Sequence, residues 1–191
     1  QARFGLFAAQ YANYTGASKV GREWNVWDGK SWKYGRKGGR RVVINSTKED
    51  AVEAVHKATD GKGANIVIDF SGAPIAQKQC ILMASKMGRV VFLGISHKGL
   101  DLSEKEVDTI MRSQLSVVGS WNSFTKPYPG EDWTESLKGF DEKGMTAKDI
   151  ISHRLPLDDA PAVLGEIAKG GYFYNKVMFY PDGYDGDFDT V

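Results

Sequence analysis

The chain has 191 residues, 41% of them hydrophobic and 26% charged, enough for one domain or one domain with an appendage. Its formal net charge of +1 gives no global field for nucleic acid or a membrane surface, and no apolar run approaches the roughly 20 residues of a membrane span. A single cysteine, Cys80, excludes an internal disulfide framework, cannot supply a thiolate cluster for structural zinc, and fits a reducing, cytoplasmic compartment.

The opening QARFGLFAAQYA reads as a buried helix, with Gly5 leading into the apolar run Leu6 to Ala9. A hydrophobic strand normally feeds such a helix, and none stands before Gly5. The next stretch, Val20 to Arg41, carries three tryptophans, five glycines and a basic excess, and shows neither a helical nor a strand period. A Rossmann-type unit needs its second strand and second helix there, and the sequence predicts neither. From Arg41 the pattern is regular. RVVIN is a β-branched run, Ser46 with Glu49 predicts a capping box, and Ala51, Ala54, Val55 and Ala58 form one apolar stripe.

NIVIDF (65–70) is a nearly continuous apolar strand, and Pro74 suits the first turn of a helix reaching Met83. GRVVFLGI (88–95) is another strand, a capping box from Ser103 to Glu106 opens a helix ending near Arg112, and QLSVVGSW (114–121) is the next strand. Runs such as IVIDF and VVFLG do not alternate polar with apolar, so both faces need cover. Strands of that kind separated by helices predict a doubly wound α/β fold with a parallel sheet. Beyond Trp121 come an aromatic, Pro/Gly-rich loop, a helix around 133–143, a short helix, an extended HRLPL and a helix capped by Asp158 or Asp159. The strand YNKVMFYP follows, and the acidic, Gly-rich tail 182–191 is expected to be disordered.

Read together, FGLFAAQYA, Gly16-Ala17, IDFSGAP, GRVVFLGISH and SVVGSWNSFTKPYPGEDW resemble the C-terminal half of the zinc-dependent medium-chain alcohol dehydrogenases. The branch most like them is that of the galactitol-1-phosphate 5-dehydrogenases and related polyol dehydrogenases. ISHRLPLDDAP and NKVMFYP match the family's return segment. The resemblance implies a partial dinucleotide-binding domain over 1–145 with an anomalous stretch at 20–41, then a segment over 146–181 returning to the catalytic domain. It also implies that the sequence enters a dinucleotide-binding turn partway, so that the chain is inactive alone.

The site residues follow from that resemblance. Gly5 stands at the third glycine of a G-x-G-x-x-G turn, with Ala2 at the second. Ser71-Gly72 and Gly94-Ile95 sit at the carboxyl ends of parallel strands and would line the cofactor, with turns that simply use small residues as the other reading. Ser120 and Trp121 would border the nicotinamide and substrate cleft, with ordinary core the other reading of Trp121. Lys176 matches a basic position that reaches the pyrophosphate, with a solvated strand-end lysine as its alternative. The acidic residue that binds the ribose falls near Glu23 or Asp28, but neither follows a readable strand, so neither is assigned. The cofactor is expected to be NAD, with NADP left open. His56 reads as solvated, and His97 and His153 as structural or loop residues.

No His or Cys pair stands at metal-ligand spacing, so this chain is expected to hold no catalytic or metal-ligating residue; the family's zinc ligands belong to an N-terminal domain. The expected function is the cofactor-binding portion of an NAD(P)- and zinc-dependent dehydrogenase that oxidises a secondary alcohol of a sugar alcohol, or its phosphate, to a ketone. The expected partners are that small molecule and further copies of the chain, joined through the sheet edge around Ser116 as a homo-oligomer, with no membrane. The second reading is a non-catalytic nucleotide- or nucleic-acid-binding module, in which the basic aromatics of 20–41 track phosphates and stack bases.

Overall fold

A computed structural model of the chain describes residues 2–17, 19–24, 40–121, 128–142, 145–147, 150–170 and 174–181. Its elements run α1 (Ala2–Tyr14), β1 (Lys19–Trp24), β2 (Arg40–Asn45), α2 (Ala51–Ala58), β3 (Ala64–Asp69), α3 (Pro74–Met83) and β4 (Ala84–Phe92). Then follow α4 (Glu104–Arg112), β5 (Ser116–Gly119), α5 (Glu131–Glu142), β6 (Ile151–Pro156), a 3-10 turn, α6 (Ala160–Lys169) and β7 (Lys176–Tyr180). Every strand pair is parallel: β1 with β2, β3 with β4, β4 with β5, and β6 with β7. The chain is therefore an α/β protein of the doubly wound kind.

The strands form three groups. In a doubly wound sheet the first strand is central, with the second and third on one side and the fourth to sixth on the other. Here β2–β1 and β3–β4–β5 are the two arms, and among the described residues no strand is hydrogen-bonded between them. The edge of β3 away from β4 has no described neighbour, and on one face of the strand Ile66 is 63% exposed. Its other face is covered. Val67 packs both with Ile44, Ala51 and Met83 and with Cys80, Ala84 and Val90, so α2 and α3 tie the two arms through one continuous core.

Several expectations needed correction. Lys19–Trp24 is a strand after all, in register with Arg40–Asn45, although KVGREW carries no strand period of its own. The pairing comes from a partner 21 residues away, which local pattern does not show. Residues 25–39, most of the anomalous stretch, and the tail 182–191 lie outside the described residues. Ser46 and Glu49 do not cap α2. Asn45 Oδ1 accepts from the Thr47 amide at 3.0 Å and the Thr47 hydroxyl at 2.6 Å, which holds 45–48 as a turn, and Asp50 takes the cap with a 2.8 Å bond from the Glu53 amide. β4 starts at Ala84 rather than Gly88 and ends at Phe92 rather than Ile95, with Met87 at φ 58° absorbing an irregularity in register. His56 is half-buried rather than simply solvated. Its Nε2 lies 2.9 Å from the Leu82 carbonyl and its Nδ1 3.3 Å from that of Gly61, so it links the end of α2 to α3.

Helix α1 packs against α5 and the residues that follow it. Gln10 makes a paired contact with the backbone of Thr146, accepting at 2.9 Å and donating at 3.3 Å, and Phe7 of α1 meets Phe140 of α5 edge-on at 5.8 Å.

The capping box at α4 is present as read: the Ser103 hydroxyl and the Ser103 amide (2.7 Å) both donate to the buried Glu106 carboxylate. The Ser103 hydroxyl, more than any other group, holds the Glu106 carboxyl below the usual glutamate range; the Ser103 amide and Lys78 add to this. A carboxyl depressed in the folded state adds stability above its unfolded pKa and loses it as pH falls through the folded value. Glu106→Gln should thus melt lower than wild type at neutral pH, with the gap closing in acid. Melting temperature against pH checks this.

Candidate functional site

The carboxyl ends of β3, β4 and β5 are level, with Asp69 opposite Phe92 and Phe92 opposite Gly119. Each strand therefore delivers its following turn to the same edge. The turns are stitched together by backbone bonds: Leu93 and Gly94 amides donate to the Asp69 carbonyl, both at 3.0 Å, and the Ser120 amide donates to the Phe92 carbonyl at 2.9 Å.

Beneath this edge lies Asp69, 3% exposed. Its Oδ1 accepts from the Ser71 amide at 2.8 Å and the Ser71 hydroxyl at 2.7 Å, and its Oδ2 from the Gly72 amide at 2.9 Å. The Ser71 oxygen in turn accepts from the Ala73 amide at 3.1 Å, ahead of the Pro74 that opens α3. A carboxylate at the end of a strand thus winds the chain into the turn. Gly72 is required there twice, because its φ of +70° disfavours a side chain and a Cβ would collide with the Ile95 carbonyl. Opposite it, a Cβ on Gly94 would collide with the Gly72 nitrogen. The two turns therefore touch backbone to backbone.

On this floor stand exposed apolar side chains: Ile95 at 58% and Trp121 at 62%, with Leu93 at 38%. Trp121 is thus surface, not core. The structure brings Ser71, Gly72, Gly94, Ile95, Ser120 and Trp121 to one edge. It does not bring the other two there through these turns. Gly5 lies within the first turn of α1, and Lys176 opens β7 in a separate two-stranded sheet, paired with Ile151. Lys176 contributes its backbone carbonyl to the Ser152 hydroxyl at 3.2 Å.

Three residues of the edge escaped sequence reasoning. Asp69 had a signal, since an Asp two residues before Ser-Gly at a strand end favours a side-chain-closed turn. Gln77 and Ser96 had none. The Gln77 amide donates to the Ser96 oxygen at 3.0 Å and the Ser96 hydroxyl to the Gly72 carbonyl at 3.2 Å, contacts across 19 and 24 residues.

A doubly wound parallel fold with its turns gathered at the carboxyl edge defines the architecture of a nucleotide-type α/β domain. The family described as zinc-binding dehydrogenase matches residues 4–141, and the chain belongs to it. The chain is 24% identical over 143 residues to galactitol 1-phosphate 5-dehydrogenase of Escherichia coli K12, covering 75% of this chain and 41% of that protein. The E. coli galactitol-1-phosphate dehydrogenase crystal structure superposes with a TM-score of 0.78 at 23% identity, over 92% of this chain and 50% of that one. This chain is 30% identical over 181 residues to sorbitol dehydrogenase of Halalkalibacterium halodurans, covering 93% of this chain and 49% of that protein. A Sinorhizobium meliloti 1021 protein crystallised with NADP bound gives a TM-score of 0.75 at 24% identity, over 94% of this chain and 50% of that one. The chain thus spans less than half the length of these curated relatives.

The family name implies zinc. Among the described residues, no group of three or more His, Cys, Asp or Glu side chains is placed to hold a metal ion. The described donor set does not fit that metal. No helix of the described residues is long and apolar enough to cross a membrane.

Proposed function

We propose that this chain is the cofactor-binding portion of an NAD(P)-dependent dehydrogenase that oxidises a secondary alcohol of a sugar alcohol, or of its phosphate, to a ketone. The observation that carries the proposal is the edge where three level strand ends bring Gly72 against Gly94 under the exposed faces of Ile95 and Trp121. The relatives named for galactitol 1-phosphate and sorbitol support the substrate class, and the NADP-bound neighbour supports a nicotinamide dinucleotide.

The hydrogen bonding says what this edge offers. The amides of Ser71, Gly72, Leu93, Gly94 and Ser120 are all committed within the protein. The turns are thus suited to flat, weakly polar rings held by contact rather than to phosphate. When bound, the nicotinamide supplies the hydride acceptor; this chain's residues bind and orient it and shield it from water. Glu23 stands on β1, the strand that follows α1; the cofactor is taken to be NAD, with NADP open. The expected homo-oligomer would use the outer edge of β5, which has no described neighbour.

The ends of the basic aromatic stretch, Lys19–Trp24 and Arg40–Asn45, are paired strands, and its remainder, 25–39, lies outside the described residues, so the nucleic-acid reading has no observation in its favour. The full-length protein, incubated with NAD or NADP and a panel of polyols and polyol phosphates, should reduce the nicotinamide with at least one of them, faster with NAD. If no member of the panel is oxidised with either cofactor, the proposal is wrong.

A further inference from the structure

We infer that Ser96 and Gln77 are positioning residues that lock the two glycine turns of the strand-end site into one unit. As a device for holding the cofactor, this rests on the nucleotide reading above. Helix α3 continues directly from the Gly72 turn, and its Gln77 side chain reaches across to Ser96 in the opposite turn. Gln77 stands in its first turn and is 4% exposed. Helical side chains lean toward the N-terminus, which directs Gln77 back under the turn that precedes its own helix.

There the relay is continuous. The Gln77 amide donates to the Ser96 oxygen, and the Ser96 hydroxyl donates onward to the Gly72 carbonyl. A hydroxyl has one proton to give and lone pairs to receive, so Ser96 fits this middle place, and alanine cannot fill it. Gly72 is then gripped from two directions. Asp69 holds its amide from below, and Ser96, one residue beyond Ile95, holds its carbonyl from the opposite turn. Gly72, whose nitrogen lies against the Gly94 position, is thus held through the peptide on either side of it.

The other end of the Gln77 amide gives an independent sign that the pair serves the turns. Gln77 Oε1 is buried and has no hydrogen-bond partner among the described residues. Buried polar atoms are almost always satisfied, so an apolar side chain would serve a purely packing role better. What a glutamine adds here is the N–H to Ser96. Ser96 itself is exposed, so removing its hydroxyl leaves the core intact.

The test compares Ser96→Ala, Ser96→Thr and Gln77→Leu with wild type in the full 191-residue chain. Amide hydrogen exchange without ligand should be faster across residues 70–73 and 93–96 in Ser96→Ala and Gln77→Leu, with the core of β4 around Val90 unchanged. Ser96→Thr, which keeps the hydroxyl, should restore wild-type exchange. Fluorescence titration with NADH and NADPH should show affinity falling about fivefold in Ser96→Ala, the loss expected for one net hydrogen bond, and recovering in Ser96→Thr. Unchanged exchange in both Ser96→Ala and Gln77→Leu overturns the inference. Faster exchange with undiminished nucleotide affinity overturns the positioning of the cofactor. If wild type binds neither nucleotide, the proposed function fails, and exchange alone decides whether the two turns are coupled.

Discussion

Replacing Gly72 with alanine is expected to lower the stability of the chain by about 2–5 kcal/mol, the sum of left-handed strain and overpacking. The strain comes from φ +70°, and the overpacking from a methyl group driven onto the Ile95 carbonyl. Gly61 separates the two terms, because it also has positive φ, +77°, but nothing lies within 4 Å of the position its Cβ would take. Gly61→Ala should therefore show the strain alone, about 1–2 kcal/mol. Gly94→Ala should show the collision alone, against the Gly72 nitrogen. Urea unfolding of the three variants checks the ordering. If Gly72→Ala is no worse than Gly61→Ala, the two turns are not in contact and the strand-end edge is not as described.

The second large effect is at Asp69. Asp69→Ala strips the acceptor from the Ser71 amide, the Ser71 hydroxyl and the Gly72 amide at a buried site. Each buried donor left unsatisfied costs about 1–3 kcal/mol, so a loss of about 3 kcal/mol or more is expected. Asp69→Asn is the more informative change, as it keeps the shape but offers one acceptor oxygen instead of two. If that oxygen serves Ser71, the new amide faces the Gly72 N–H donor to donor. Turned the other way, it abandons both Ser71 donors. An intermediate loss of about 1–3 kcal/mol should follow, read by the same unfolding curves. Equal stability of Asp69→Asn and wild type would mean the carboxylate does not wind this turn.

What the sequence revealed and what it hid divide along the same line as local and non-local interactions. Pro74 at the first turn of α3 and the Ser103–Glu106 capping box are contained in a few residues, and both stand where they were read. The apolar runs around Val67 and Val90 announced parallel strands because they lie in a layered core. The Ser46–Glu49 box had the right letters, but Asn45 captured the turn and left the cap to Asp50. β1 was hidden because its strand character comes from β2. Of the candidate site, the residues after each strand were legible, and the structure gathers six of them at one edge, four of them small. Gln77 and Ser96 were not, because a hydrogen bond between a helix and a distant turn leaves no spacing in the sequence.

The central claim is that this edge holds a nicotinamide dinucleotide. It is tested most directly by titrating NADH into the isotope-labelled chain and following backbone amide signals. The account predicts shifts at Gly72, Gly94, Ile95, Ser120 and Trp121, with Gly61 and Gly165 unmoved. Saturating NADH that leaves those five signals in place, or that shifts only residues between Val20 and Arg41, would contradict it.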